Sequence, residues 1–333
     1  MRPADARIMP GPLGTLQLQL ATMVLHAPGH VGVMIEDLTT GLRSSVNANV
    51  QMPAASTIKI PVMVEVFRRL ALGDFDLNRH VTLRAGDRDW GWGDLADAHV
   101  GRSFTVSRLL TLMITESDNT ATNMLIRLVG RSAINRTMIE LGLSQTRLGD
   151  FIRSEGPIAQ QLRSSPRDMI HLLAAMAQHR LVDEWSSRAM IAILAGQHHN
   201  TLLPQPLPAG TTIAHKTGSL HDTLNDVGIV FLDNEPYAIA VMTTQLPTLD
   251  AGRRFIRGVS RLAYDELSRF ADWRATNGMP ALLPPEVEAA PALSGDSDIR
   301  RWSGPEGNAQ PSALPNTVTP LAPAAGVGAT SPT

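Results

Sequence analysis

The chain has 333 residues, 43% of them hydrophobic and 18% charged, with a formal net charge of -2. That balance gives a folded domain with a substantial core and excludes the strongly basic field that nucleic acid or an acidic membrane surface would require. Cysteine is absent, which excludes disulfides, thiolate nucleophiles and cysteine-bound zinc, and leaves the redox compartment open.

Leu13 to Leu25 is interrupted by Gln17, Gln19 and Thr22, which predicts an amphipathic helix rather than a secretory or membrane-spanning segment. The expected location is therefore cytoplasmic by default, unless an export segment lies upstream. His30 to Leu38 and Leu42 to Val46, separated by Thr39-Thr40-Gly41, predict a hairpin. A polar turn, Gln51 to Ala55, then gives way to a helix that begins at Ser56 and buries Met63, Val66, Phe67 and Leu70. Pro61 inside it predicts a bend. Gly73 to Arg102 reads as a long loop, and its Asp89-Trp90-Gly91-Trp92-Gly93 stretch offers a wall for a ligand or a cap for the core.

Thr105 or Ser107 caps a helix reaching Thr115, and Ser117-Asp118-Asn119 interrupts it. Helices are expected from Thr120 and over Ser132 to Leu141, with Gly142 to Ser164 again a loop. Ser165-Pro166-Arg167-Asp168 is a helix start, leading to helices near Met169 to His179 and Asp183 to Leu194. Three strands follow as an antiparallel meander: Thr211 to His215 running into Lys216-Thr217-Gly218, then Asp226 to Leu232, then Pro236 to Thr244. A last helix, Gly252 to Arg269, places Phe255, Ile256, Val259 and Leu262 on one face. Beyond Met279 the composition turns to Pro, Ala, Gly, Ser and Thr, which predicts a disordered tail over 279–333.

Ser56 and Lys59 lie three apart on one helix face, so the lysine amine reaches the serine hydroxyl. A serine hydroxyl attacks only when a base takes its proton, and lysine is such a base only if burial or a positive neighbour lowers its pKa. The free N–H groups and dipole of the helix start favour negative charge developing beside Ser56.

Three short motifs stand in order: Ser56-x-x-Lys59, Ser117-Asp118-Asn119 and Lys216-Thr217-Gly218. With their flanks STIKIP, SDNTATNMLI, HKTGS and SSPRDM, they make the stretch from about Leu13 to Ala271 resemble class A β-lactamases and penicillin-binding proteins. The resemblance implies an α/β fold of β-lactamase type: a five-stranded antiparallel sheet with flanking helices, contributed by about 11–55 and 205–275, beside an all-helical part over about 56–204, all within a domain of 1–278. It implies that Ser56 forms an acyl-enzyme with Lys59 as base, that Ser117 shuttles a proton to the leaving nitrogen, and that Asp118 braces the turn. Asn119 would hold the substrate's side-chain amide. The amides of Ser56 and Ser219 would form an oxyanion hole, and Lys216, Thr217 and Gly218 would line the carboxylate site, with Arg253 or Arg254 adding a second cation.

One element departs from the pattern. Where class A β-lactamases carry Glu-x-x-x-Asn in the loop that activates the deacylating water, this chain has Gly149-Asp150-Phe151-Ile152-Arg153-Ser154-Glu155, with Ile152 in the glutamate's place. Glu155 is the candidate replacement, Asp150 a poorer one, and the direction of Glu116 beside the second motif is open. Scattered histidines (His198, His199, His215, His221) follow no metallo-β-lactamase pattern, so no metal or other cofactor is expected. The expected partner is a small molecule, a β-lactam or a D-alanyl peptide, with no nucleic acid and no membrane span. Three readings stay open: a β-lactamase-like serine hydrolase whose deacylation is fast or slow, a DD-peptidase of penicillin-binding type, and a non-catalytic sensor of β-lactams or peptidoglycan fragments. Glutaminases and esterases with Ser-x-x-Lys fit the second and third motifs less well.

Overall fold

Alternation of side chains along an early hairpin and three late strands builds the centre of the molecule. A computed structural model describes residues 11–154, 161–233 and 235–278. Its main sheet is antiparallel and five-stranded, in the order β2-β1-β10-β9-β8. These strands are β1 (His30–Asp37), β2 (Arg43–Val46), β8 (Thr212–Leu220), β9 (Thr223–Phe231) and β10 (Tyr237–Thr244). Pairing of β1 with β10, Val33 opposite Val241, joins the expected hairpin to the expected meander.

Successive residues of a strand point to opposite faces, and both faces are buried here. Tyr237, Ile239 and Val241 enter one core with Leu13, Leu16 and Leu20 of helix α1 (Gly11–Leu25) and Ile256, Val259 and Phe270 of the last helix, α8 (Leu249–Asn277). Ala238, Ala240 and Met242 enter a second core under the central helix α6 (Pro166–Ala177). The small side chains at 238 and 240 leave room for that helix to lie close on the sheet. The same core takes in α2 (Lys59–Ala71), α3 (Val106–Thr115), α4 (Asn119–Val129), α5 (Arg131–Glu140) and α7 (Glu184–Ala195), with α2 packed against α3, α4, α5 and α7. Thr105, Ser165 and Asp183 cap α3, α6 and α7, each side chain accepting a backbone N–H of the first turn.

Several boundaries differ from expectation for physical reasons. The first α-helical residue of α2 is Lys59, after a 3-10 turn over Ala55–Ile58. Pro61 therefore sits in the first helical turn, where a missing N–H is tolerated and no bend is required. The stretches read as loops contain short ladders set by tertiary pairing rather than by local alternation. β4 (His80–Thr82) pairs with β5 (Ser103–Thr105), and β3 (Met52–Pro53), β7 (Leu162–Ser164) and β6 (Arg147–Leu148) form a small ribbon. The Lys216-Thr217-Gly218 motif lies inside β8 rather than at its end, and α8 runs from Leu249 to Asn277, past both expected ends. Glu155 and the tail over 279–333 lie outside the described residues. No helix among the described residues is long and apolar enough to cross a membrane.

Ile256 is fully buried between α8 and the sheet, on the face opposite the helical layer. Truncation by Ile256→Ala removes apolar contacts and leaves a cavity, at a cost of about 2–5 kcal/mol in stability. Denaturant unfolding should read that loss while activity per folded molecule stays unchanged, because the helix after Ser56 and the turn at Ser117 belong to the layer on the other face of the sheet.

Candidate active site

Ser56 lies in the 3-10 turn that runs into α2. In 3-10 geometry residues three apart eclipse one another, so the side chains of Ser56 and Lys59 leave the same edge of the helix. The turn is entered through Ala55 in the left-handed region, φ 47°, a conformation that costs a non-glycine residue on the order of 1–3 kcal/mol and persists where its surroundings fix it. Asn225 of β9 supplies that fixing, donating from Nδ2 to the carbonyls of Pro53 (2.9 Å) and Ala54 (3.1 Å). β8 is an edge strand, and its Gly218 approaches so closely that a Cβ there would lie 3.0 Å from the Ser56 nitrogen. The strand carrying the third motif is thus pressed against the Ser56 turn.

Lys59 is completely buried. Its Nζ donates to the Ser117 carbonyl (2.5 Å) and to Asn119 Oδ1 (2.8 Å), and lies 3.0 Å from Ser117 Oγ. Ser117 is left-handed too, φ 57°, which turns its carbonyl and its hydroxyl toward the same amine. From β8, Lys216 Nζ reaches that hydroxyl at 3.1 Å and donates to the Thr217 carbonyl at 3.1 Å. One hydroxyl therefore stands between two buried amines. Burial first, and the charge of Lys216 second, push the Lys59 amine well below the usual lysine range, with Asp118 and Asp89 opposing. Burial lowers Lys216 to about 7, opposed by Asp226.

A neutral Lys59 has two N–H donors and one lone pair. The two pure acceptors, Ser117 O and Asn119 Oδ1, take both donors, which leaves the lone pair for a hydroxyl hydrogen from Ser56 or Ser117. The sequence carries a signal for this pair that motif spacing alone does not use: of 29 basic residues, 27 are arginine, and the only two lysines are Lys59 and Lys216. Arginine keeps its proton at all working pH values, whereas a buried lysine can give it up.

The turn between α3 and α4 is braced from below. Asp118 accepts from Ala121 N (2.7 Å), capping α4, and from Leu95 N (2.9 Å), and burial raises its carboxyl above the ordinary range. Gly93, φ 99°, passes so near that a Cβ would fall 2.3 Å from the Asp118 carboxyl carbon, so only glycine fits there. Trp92 accepts from the Asn119 amide through its carbonyl at 3.0 Å, and its ring meets His199 edge-on, centroids 5.8 Å apart. This bears on the expected aromatic wall: Trp92 flanks the motif turn, while the exposed Trp90 sits beneath the Arg88 guanidinium at 5.5 Å.

The structure brings Ser56, Lys59, Ser117, Asn119, Lys216 and Gly218 together. Thr217 is half-buried beside them and Ser219 is exposed on the same strand. Arg254 is exposed on α8 and Arg253 is paired with Asp250. Glu116 pairs with His198 at 2.6 Å. His215 lies buried behind Lys216, against Asp226 (2.9 Å) and Asn200 (2.9 Å). Ile152 is 5% exposed and held at its backbone by Asn123, which accepts its N–H (2.7 Å) and donates to its carbonyl (2.9 Å). Sequence reasoning missed Asn225, whose strut is a tertiary contact, and Asp89, which reads as a loop acid but accepts from Asn119 Nδ2 at 2.7 Å. Among the described residues no group of three or more His, Asp or Glu is placed to hold a metal ion.

A family model described as the beta-lactamase enzyme family matches residues 15–267. The extended-spectrum beta-lactamase PER-1 of Pseudomonas aeruginosa is 28% identical over 247 residues, covering 68% of this chain and 78% of that protein. Among solved structures, a beta-lactamase of Sphaerobacter thermophilus is 33% identical with a TM-score of 0.70, covering 75% of this chain and 96% of its own. PBP-A is similar to the same degree, 32% identical with a TM-score of 0.73, covering 77% and 97%, and a variant of it is known as an acyl-enzyme complex with penicillin G. The match of the family model over most of the chain, together with these relatives, shows that the chain belongs to the beta-lactamase enzyme family.

Proposed function

We propose that the chain is a serine hydrolase that opens β-lactam rings through an acyl-enzyme on Ser56. The observation that carries this reading is the fully buried Lys59 amine, one turn after Ser56, with its hydrogens directed to Ser117 O and Asn119 Oδ1. The uncharged amine takes the Ser56 proton as Oγ bonds to the ring carbonyl carbon. The oxygen anion that forms is received by the N–H groups of Ser56 and Ser219, worth about 3 kcal/mol per donor. As the C–N bond breaks, the Ser117 hydroxyl gives its hydrogen to the leaving nitrogen and is resupplied from the amine at 3.0 Å. Lys216, with Thr217, attracts the substrate carboxylate, while the second Nδ2 hydrogen of Asn119 faces the substrate's side-chain amide.

A second reading rests on Ile152. An alkyl side chain in the place of the water-activating glutamate leaves the acyl-enzyme without a base from that position, which favours slow deacylation and a peptidase acting on D-alanyl peptides. Glu155, outside the described residues, remains the proposed replacement base.

Intact-mass analysis after fluorescent penicillin tests the reading: one adduct on the wild type and none on Ser56→Ala. Equal labelling of both proteins, or neither adduct nor turnover on the wild type, overturns it. Many nitrocefin turnovers per molecule favour the β-lactamase reading, whereas one slow acylation with D-alanine release from peptides favours the peptidase.

The two amines also set a pH profile. Acylation needs Lys59 unprotonated, so its acid limb should fall far below the ordinary lysine range. Lys216, lowered to about 7, carries its charge below that pH and loses it above. KM for a carboxylate-bearing β-lactam should therefore rise as pH passes from about 6 to 8, while KM for the corresponding ester stays flat. Stopped-flow acylation and steady-state kinetics across that range read the two effects separately.

A further inference from the structure

We propose that Asp89 is the carboxylate that positions Asn119, and through it the Lys59 amine, for acylation of Ser56. This rests on the Ser56 and Lys59 reading above and adds to it a residue outside the three motifs.

Asn119 bridges two partners of opposite kind. Its Nδ2 donates to Asp89 Oδ1 at 2.7 Å, and its Oδ1 accepts from Lys59 Nζ at 2.8 Å. A carboxylate accepts only, so the Asp89 contact fixes which end of the amide faces the amine. Rotating the amide would place its oxygen against a carboxylate and its NH2 against the amine, losing both bonds. Asp89 is in turn held by Ser154, whose N–H donates to Oδ2 at 2.6 Å and whose hydroxyl donates to Oδ1, and by Gly91 N at 3.0 Å. Thr120 Oγ1 accepts from the Asp89 N–H at 3.1 Å. Burial opposes ionisation, yet the bonds from Ser154, Asn119 and Gly91 keep the carboxyl below the ordinary range, so it stays ionised through the working pH.

The same contacts exclude a different role. Three of its four donors sit on Oδ1, so Asp89 has no acceptor site left for a hydrolytic water on the oxygen that faces Asn119. It is a positioning residue for acylation and not the base of deacylation. Gly91 belongs to this arrangement: a Cβ there would fall 1.7 Å from Ser154 Oγ, so only glycine lets the 150–154 segment close onto Asp89. Ile152, two residues earlier, brings no ionisable group to the site, which leaves Asp89 as the carboxylate bonded to the Asn119 amide.

The test is the pH dependence of single-turnover acylation, measured for the wild type and Asp89→Asn from about pH 5 to pH 10. The charged groups facing Lys59 are Lys216 from β8, Asp118 from the motif turn and Asp89 from the loop. Loss of the Asp89 charge should slow acylation by about tenfold or more. It should also move the acid limb to lower pH, because a negative neighbour that favours the ammonium is gone, while deacylation changes by less than about twofold. Acylation and its limb both unchanged would overturn the inference, as would a defect confined to deacylation. Should Asp89→Asn not fold, Ser154→Ala keeps the charge but removes one donor, and acylation slower by about two- to fivefold with an unmoved limb supports the inference. Unchanged acylation in that variant overturns it. A wild type that shows neither acylation nor turnover fails the Ser56 reading instead, so the two failures are distinguishable.

Discussion

An ammonium group removed from water must find compensating charge or give up its proton, and this site removes two. Lys59 and Lys216 are both fully buried on either side of the Ser117 hydroxyl. The penalty for burying such ions is several kcal/mol each, and placing them together adds repulsion. Asp118 and Asp89 near one, and Asp226 near the other, offset only part of it. Proton loss is the remaining relief, and a neutral amine one turn from a serine is what nucleophilic attack requires. The stability the fold gives up at this point becomes chemical reactivity at Ser56.

Much of the surrounding structure can be understood as holding that arrangement against its own strain. Ala55 and Ser117, both in left-handed backbone, bracket the amine. Asn225 ties the first of these turns to the sheet, and Asp118 with Gly93 ties the second to the loop before α3. The sheet's edge strand closes the third side through Gly218. Two cores, one on each sheet face, give these ties a rigid base. On the remaining side, the 150–154 segment contributes the buried Ile152 and Ser154, which donates to Asp89.

The elements with strong period were legible from sequence: the hairpin, the meander, and the helices capped by Thr105, Ser165 and Asp183. Ser56, Lys59, Ser117, Asn119 and Lys216 were picked out by the resemblance of three short motifs to a known family, and the structure brings them together. What escaped was fixed by contacts distant in sequence. The ladders β4 with β5 and β3 with β7 with β6 are two or three residues long, too short for any alternation to register. Asn225 reads as an ordinary strand polar residue, and Asp89 as one acid in a polar loop, until the chain brings each to its partner. The concentration of lysine at only two positions, against 27 arginines, was visible in the composition and needed the structure to give it meaning.

That same scarcity offers the most direct measurement of the central claim. Protein made with lysine labelled by 15N at the side-chain nitrogen gives two Nζ signals, assigned by Lys216→Arg, and their shifts against pH report each protonation state. The account predicts that both amines titrate well below the ordinary value of about 10.4, Lys216 at about 7. Should Lys59 persist as an ammonium up to about pH 10, the amine could not take the Ser56 proton and the account would be contradicted.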